Sequence, residues 1–382
     1  MKFLVATRTR IIGLVVVVLL LVAFILTRTQ EARSISLLLR FGGGEGALAH
    51  LRESEVIEEE LLIPTAGKPI RARLYTPQGR ALSEIGGVVL AHGVHHLGIE
   101  EPRLRRFARA ISSAGIAVLT PEIAELADYR IERASVATIV RSAEVLAQRV
   151  QRKQVGVMGF SFAGGLAMLA AGDAATNRAI AFVVSIGGYD DLERVLTFFV
   201  ENKIAKPTGE EVMLSAHPYG PIVLVYGHLD LFFAPDDISV AEHAIRAWLY
   251  EKRDQAREYA THASPAGQER LAVLFSEHTG VLAPEIRKAI ADHRELIREV
   301  SPRGHLADLH VPVFLLHGEH DAVIPATETL WLAQDSGAHL REFLVTGAVE
   351  HVELEKTSTY GERWKLVEFM SDVLSETEAE PR

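Results

Sequence analysis

The sequence predicts an α/β fold: a mostly parallel twisted sheet with helices on both faces and a large helical cap insertion. Three observations predict it. Between residues 56 and 188, short apolar runs bounded by glycine or proline alternate with segments of helical spacing, the pattern of repeated βαβ units. The alternation then stops for a long, mainly helical stretch and resumes at Val311. Within the first alternating part lies Ser161, with small residues two positions to either side, where a strand passes into a helix.

The bulk properties agree with a large globular chain. The 382 residues are 48% hydrophobic, so a sizeable core is available. The net charge of −10 is spread over interspersed acids and bases, which argues against a nucleic-acid binder with its basic face. With no cysteine, disulfides and thiolate metal or redox sites are ruled out, although the compartment is not. No metal or organic cofactor is expected, and oligomeric state is not legible.

The N-terminus departs from this composition. Ile11 to Leu26 is an uninterrupted apolar run, with Arg8 and Arg10 before it and Arg28 and Arg33 after it. At ~1.5 Å per residue it falls somewhat short of the ~30 Å hydrocarbon core, so Thr27, Thr29 and snorkelling arginines would have to help. No small-x-small cleavage site follows, and an uncleaved signal anchor over residues 1–29 is expected in preference to a cleaved signal peptide. The balance of Lys2, Arg8 and Arg10 against Arg28, Arg33 and Arg40 leans to a single-pass protein with its main domain on the extracytoplasmic side. Residues 30–55, with Gly42-Gly43-Gly44-Glu45-Gly46, read as a linker.

The first core part, 56–188, is expected to hold strands over Glu58–Pro64, Ile70–Pro77, Ile85–Ala91, Ile116–Thr120, the run into Met158, and Ala179–Ile186. Helices are expected over Arg103–Ala114, Arg133–Arg149 and Leu166–Ala171. Residues 189–309 form the helical cap or lid insertion. In it Asp237 caps a helix through about Thr261, Ser264-Pro265 opens one ending near Gly280, and Pro284 opens one through about Val300. His217 to Phe233 is ambiguous between strand and helix. The second core part, 310–375, has a strand over Val311–Leu316, a helix from about Ala326, a strand over Arg341–Val345 and a terminal helix over Gly361–Leu374. The charged tail, 376–382, is expected to fray.

The chemistry gathers on Gln154 to Gly165. A serine at a strand-to-helix turn is held in a strained conformation that presents its hydroxyl, and the residues two positions either side must be small. Gly159 and Ala163 are small, although the G-x-S-x-G pattern has glycine where Ala163 stands. The Phe162 amide opens the helix and points where a negative oxygen would develop. Alone, such a string is as readily a glycine-softened turn.

Serine-based acyl transfer also needs a base, a group that orients the base, and further oxyanion donors. His351, after the last strand, supplies an imidazole that exchanges protons near neutral pH. Asp321 follows a buried strand 30 residues earlier. The backbone near Gly93-Val94, after strand Ile85–Ala91, can give the second donor. Each has a duller reading: a solvated loop histidine, a turn aspartate ahead of Pro325, a tight turn. It is their order, Ser161…Asp321…His351, on an alternating sheet that favours catalysis. Asp230, in a segment that mimics Val311–Asp321, and Asp190 or Asp191 are minor alternatives for the acid. His92, His95 and His96 lack a third ligand at zinc spacing, and His95 and His96 are expected to line or border the substrate entrance.

Through His92-Gly93, Gly159-Phe160-Ser161-Phe162-Ala163-Gly164-Gly165, His317-Gly318-Glu319-His320-Asp321-Ala322-Val323-Ile324-Pro325 and His351, the chain resembles α/β-hydrolase-fold serine hydrolases of the dienelactone-hydrolase-like or esterase type. The resemblance spans about Glu58 to Leu374 and is weakest in the helical insertion. It implies Ser161 as nucleophile, Asp321 as acid, His351 as base, and the amides of Val94 and Phe162 as the oxyanion hole. The expected function is membrane-anchored cleavage of an ester, thioester or amide of a small-molecule or lipid-like acyl substrate. Acyl transfer on the same triad, or a catalytically silent binding or scaffold protein, are the alternatives.

Overall fold

A computed structural model describes residues 15–16, 29–44, 54–276, 279–350, 353–354 and 358–378. Its centre is an eight-stranded sheet built from β1 (Val56–Ile63), β2 (Ile70–Pro77), β3 (Gly87–Ala91), β4 (Ala117–Pro121), β5 (Val155–Phe160), β6 (Ile180–Ile186), β9 (Val313–Gly318) and β10 (Leu340–Thr346). The spatial order is β1-β2-β4-β3-β5-β6-β9-β10. The β1–β2 and β2–β4 pairs are antiparallel, and every other pair in this sheet is parallel. Two small hairpins lie apart from it: β7 (Lys203–Ala205) with β8 (Glu211–Met213), and β11 (Val349–Glu350) with β12 (Glu353–Leu354).

The central strands are apolar at every position because both faces are covered. Val89, Val157, Val183 and Leu315 point into one core layer, and Leu90, Met158, Val184 and Phe314 into the other. The first layer is closed by α3 (Arg133–Arg149) and α4 (Phe162–Gly172), and the second by α1 (Thr29–Phe41), α2 (Pro102–Ser113) and α13 (Tyr360–Glu378). Every residue of α4 is buried, so it has no polar face.

Between β6 and β9 run α5 (Leu192–Glu201), α6 (Tyr219–Gly227), α7 (Ile238–Leu249), α8 (Arg253–Ala260), α9 (Pro265–Phe275), α10 (Ala283–Asp292) and α11 (Arg294–Glu299), and α12 (Thr327–Ser336) follows β9. The ambiguous stretch 217–233 is thus helical over Tyr219–Gly227 and again over Leu229–Phe232.

Several sequence expectations are corrected in detail. The helix expected from Asp237 to about Thr261 breaks between Leu249 and Arg253, where Glu251 takes a φ of 60°. Asp237 does not cap it; its carboxylate accepts from the Ser264 amide at 2.7 Å and the Ser264 hydroxyl at 2.6 Å. The helix expected from Pro284 to Val300 breaks at His293, whose Nδ1–H donates to the Ala289 carbonyl. The terminal helix runs on to Glu378, inside the tail expected to fray, where Gln30 and Arg33 of α1 bond the Glu378 carboxylate.

Residues Thr29–Phe41, read as linker, form an amphipathic helix. Its Leu37 is fully buried, and Ser34 Oγ donates to the Val367 carbonyl of α13 at 2.7 Å. The single-pass membrane placement is also corrected: among the described residues no helix is long and apolar enough to cross a membrane. Of the run 11–26 only Val15 and Val16 are described, and the rest lies outside the described residues.

Candidate active site

The sheet order reverses around β3, whose neighbours are β4 on one side and β5 on the other. Open α/β sheets bind ligands at such a switch point, beyond the carboxyl ends of the strands. There, Ala91 of β3 pairs with Gly159 of β5, which sets His92-Gly93-Val94 beside Phe160-Ser161-Phe162.

Ser161 has φ 53° and ψ −130°, outside the regions that residues with a side chain occupy without strain. Its amide donates to the Ile186 carbonyl at the end of β6 at 2.8 Å, and its carbonyl accepts from Gly164 at 2.8 Å. The turn is tight enough that a Cβ on Gly159 would sit 2.2 Å from the Ala163 carbonyl oxygen. Alanine fits at 163 because that position is already helical and buried in the core, so the departure from the glycine pattern is absorbed.

The two oxyanion candidates come together here. Phe162 is the first residue of α4, and Val94 and Ser161 line the same cleft. Neither the Val94 nor the Phe162 amide has a hydrogen-bond partner among the described residues. The peptide carrying the Val94 N–H is fixed from its other side: His92 Nδ1–H donates to the Gly93 carbonyl at 2.7 Å, and Nε2 accepts from the Ile123 amide at 3.0 Å. A trans peptide points its C=O and N–H opposite ways, so holding one aims the other. Burial keeps His92 neutral, with its pKa pushed down to about 4 against a smaller opposing pull from the Gly93 carbonyl and Glu101. Both ring nitrogens are thus committed within the fold, and the ring holds the Gly93–Val94 peptide in place. The sequence predicts an oxyanion donor near Gly93-Val94; the contacts of the His92 ring are legible only in the fold.

Asp321, at the end of β9, is 1% exposed. Its Oδ1 accepts from the amides of Val323 and Ile324 at 2.8 and 3.0 Å, which fixes the carboxylate. His317 Nε2 lies 3.4 Å from Oδ2, but that ring is otherwise occupied. Its Nε2–H donates to the Ile324 carbonyl at 2.7 Å and its Nδ1 accepts from Thr329 Oγ1 at 2.6 Å, so both ring nitrogens are engaged within the fold. His351 lies outside the described residues; β11 and β12 flank that position in the chain, and β11 lies against β9.

The decoy acids are accounted for. Asp190 and Glu328, both fully buried, share Arg194: Arg194 Nη2 lies 3.0 Å from Asp190 Oδ2 and its Nε donates to Glu328 at 2.5 Å. Burial first, then Glu328, raises the Asp190 pKa to about 7. Asp191 caps α5 by accepting from the Glu193 amide, and Asp230 is exposed on a short helix.

The cleft over Ser161 encloses about 310 Å³. Val94, His95 and Val323 form its core side, and Tyr219, Trp248 and Arg253 from the helical block form its roof. His95 and His96 stack at 4.7 Å, and His96 stacks on Tyr250 at 4.4 Å, but only His95 lines the cleft. Burial lowers the pKa of both rings. A smaller pocket of about 80 Å³ on the other side of Ser161 is closed by Phe41 of α1. Reading residues 30–55 as linker hid that contribution.

No family model and no curated protein sequence matches the chain. Solved structures do. An acylaminoacyl peptidase bound to Z-Gly-Gly-Phe-chloromethyl ketone superposes with a TM-score of 0.50 at 12% identity, over 85% of this chain and 42% of the other. The acylaminoacyl peptidase of Pyrococcus horikoshii gives 0.49 at 12% identity, over 86% and 42%. An esterase from Pyrobaculum calidifontis gives 0.45 at 16% identity, over 92% of both chains. The chain thus spans less than half the length of the peptidases it matches. At these identities the likeness concerns the fold, and the fold is that of the α/β-hydrolases.

Proposed function

We propose that the protein is a serine hydrolase that cleaves an ester, thioester or amide through an acyl-enzyme on Ser161. One observation carries this reading: Ser161 is held at positive φ on the switch point of the sheet, beside two amides, Val94 and Phe162, that have no hydrogen-bond partner among the described residues. A fold gains nothing from such strain unless the geometry is used.

In this reading Ser161 Oγ attacks the substrate carbonyl while His351 takes its proton, and the Val94 and Phe162 amides stabilise the oxyanion. Collapse expels the leaving group with the proton from His351, and water repeats the sequence on the acyl-enzyme. Asp321 offers Oδ2 to the imidazole N–H, since Oδ1 is engaged by its own turn. Partition toward an alcohol or amine acceptor is favoured to the extent that the roof of Tyr219 and Trp248 excludes water.

The test is fluorophosphonate labelling of the full chain beside Ser161→Ala, Asp321→Asn and His351→Ala. Labelling of wild type, abolished in Ser161→Ala and slowed in the other two, is expected. Labelling that persists in Ser161→Ala overturns the assignment, and a folded wild type inert to the probe and to a panel of esters moves the protein to a binding role.

A further inference from the structure

Behind the wall of the reaction cleft lies a second cavity, of about 440 Å³, lined by α5, α6, α10, α11 and the segment 129–133 and open to solvent along one side. Its size falls within the range of small-molecule sites. Leu192, Leu196, Phe199, Val223, Ile290 and Ile297 give it an apolar interior. Its histidines, His228 and His293, lie with ring centroids 4.7 Å apart, and burial first, then His293, lowers the His228 pKa, so that ring is uncharged at neutral pH. The cationic residues along it are exposed and committed elsewhere: Arg130 to Asp128 and Glu132, Arg133 to Asp173 and the Glu299 carbonyl.

Tyr129, Phe162 and Tyr219 line both this cavity and the cleft that holds Ser161. Phe162 is fixed by the helix it opens. Tyr129 is fixed by its hydroxyl, which donates to the Leu249 carbonyl at 2.9 Å and lies 3.3 Å from His96 Nδ1. Tyr219 is different. Its hydroxyl is buried with no hydrogen-bond partner among the described residues, although buried hydroxyls nearly always have one. Swinging this ring aside breaks no hydrogen bond.

We propose that the cavity receives the apolar acyl chain of the substrate and that Tyr219 is the wall that moves to admit it. The proposal rests on the serine-hydrolase reading and deepens it from acyl compounds in general to those with an extended apolar tail. Each methylene that leaves water is worth about a fourfold gain in kcat/KM until the cavity is full.

Gly227 offers the means to test it. It ends α6 at the exposed rim of the cavity, and a Cβ there would meet nothing within 4 Å, so a larger side chain can be placed at the rim without displacing its neighbours, and a phenyl ring turned inward would narrow the cavity. The full chain and Gly227→Phe are compared on p-nitrophenyl esters from acetate to palmitate. Wild type is expected to climb about fourfold per methylene and then level off, and Gly227→Phe is expected to lower the octanoate-to-acetate ratio by roughly a hundredfold. Equal chain-length slopes in the two proteins overturn the proposal while leaving the hydrolase reading intact. A second arm measures binding of 11-(dansylamino)undecanoic acid to Ser161→Ala with and without Gly227→Phe. Saturable binding lost on filling the cavity supports the site even where no ester is cleaved; equal binding to both overturns it. Tyr219→Ala should lower the KM for octanoate relative to acetate, and an unchanged relative KM overturns the gate.

Discussion

Gly159→Ala adds one methyl group at the tightest point of the elbow. That carbon would lie 2.2 Å from the Ala163 carbonyl oxygen, 2.5 Å from its carbon and 2.8 Å from the Gly164 nitrogen. All three atoms are backbone, so no side chain can turn away. Restoring ordinary contact requires α4 to retreat by about 1 Å, yet every residue of that helix is buried. Overpacking of this kind costs about 1–3 kcal/mol. The functional cost is larger, because a displacement of about 1 Å at a catalytic group lowers the rate by about a hundredfold. The experiment measures kcat/KM on a short aryl ester together with the midpoint of urea unfolding. Gly227→Ala is the control, since its new methyl meets nothing within 4 Å and should shift stability by less than about 0.5 kcal/mol. If Gly159→Ala keeps kcat/KM within about threefold and an unchanged midpoint, the elbow is not the rigid device described here.

Further outcomes follow from the same geometry. His92→Ala releases the Gly93 carbonyl and should lower kcat by roughly tenfold to a hundredfold with little change in KM, as expected for losing the aim of one oxyanion donor. His92 also ties stability to pH: its folded pKa is depressed from 6.5 to about 4, so the unfolded chain binds more protons between those values. Its contribution is present above pH 6.5 and is lost as the pH falls toward 4, by about 3 kcal/mol in all; the acid-side slope should flatten in His92→Ala. Arg194→Met strands the buried carboxylates of Asp190 and Glu328 and should cost about 3–5 kcal/mol in urea unfolding. Asp321→Asn keeps an acceptor for the Val323 and Ile324 amides, so it should lower kcat by about ten-thousandfold with a near-normal melting temperature.

Local pattern carried the core of the fold. Strands buried on both faces must be apolar at every position, and turns into helices need small residues, so β3, β5, β6, β9 and the Ser161 elbow were legible from composition and punctuation alone. The order of Ser161, Asp321 and His351 is likewise a property of the chain and needs no coordinates. The helical block was legible as helix, but its breaks at Glu251 and His293 lie inside continuous helical periodicity, where packing outweighs propensity.

Long-range placement belonged to the tertiary structure. Thr29–Phe41 became a helix because α2 and α13 offer an apolar groove to its buried face, and no window of sequence contains that groove. Asp190 was a plausible acid until Arg194 and Glu328, 138 residues downstream of it, closed around it. The hold of His92 on the Gly93–Val94 peptide turns on the Ile123 amide from beyond β4. The cavity behind Tyr219 is bounded by segments from residue 129 to residue 300, so its volume exists only once they pack. The sequence determines which residues have the chemistry for acyl transfer. Which of them face one another is decided by close packing of distant segments, and that information is not written at any single position.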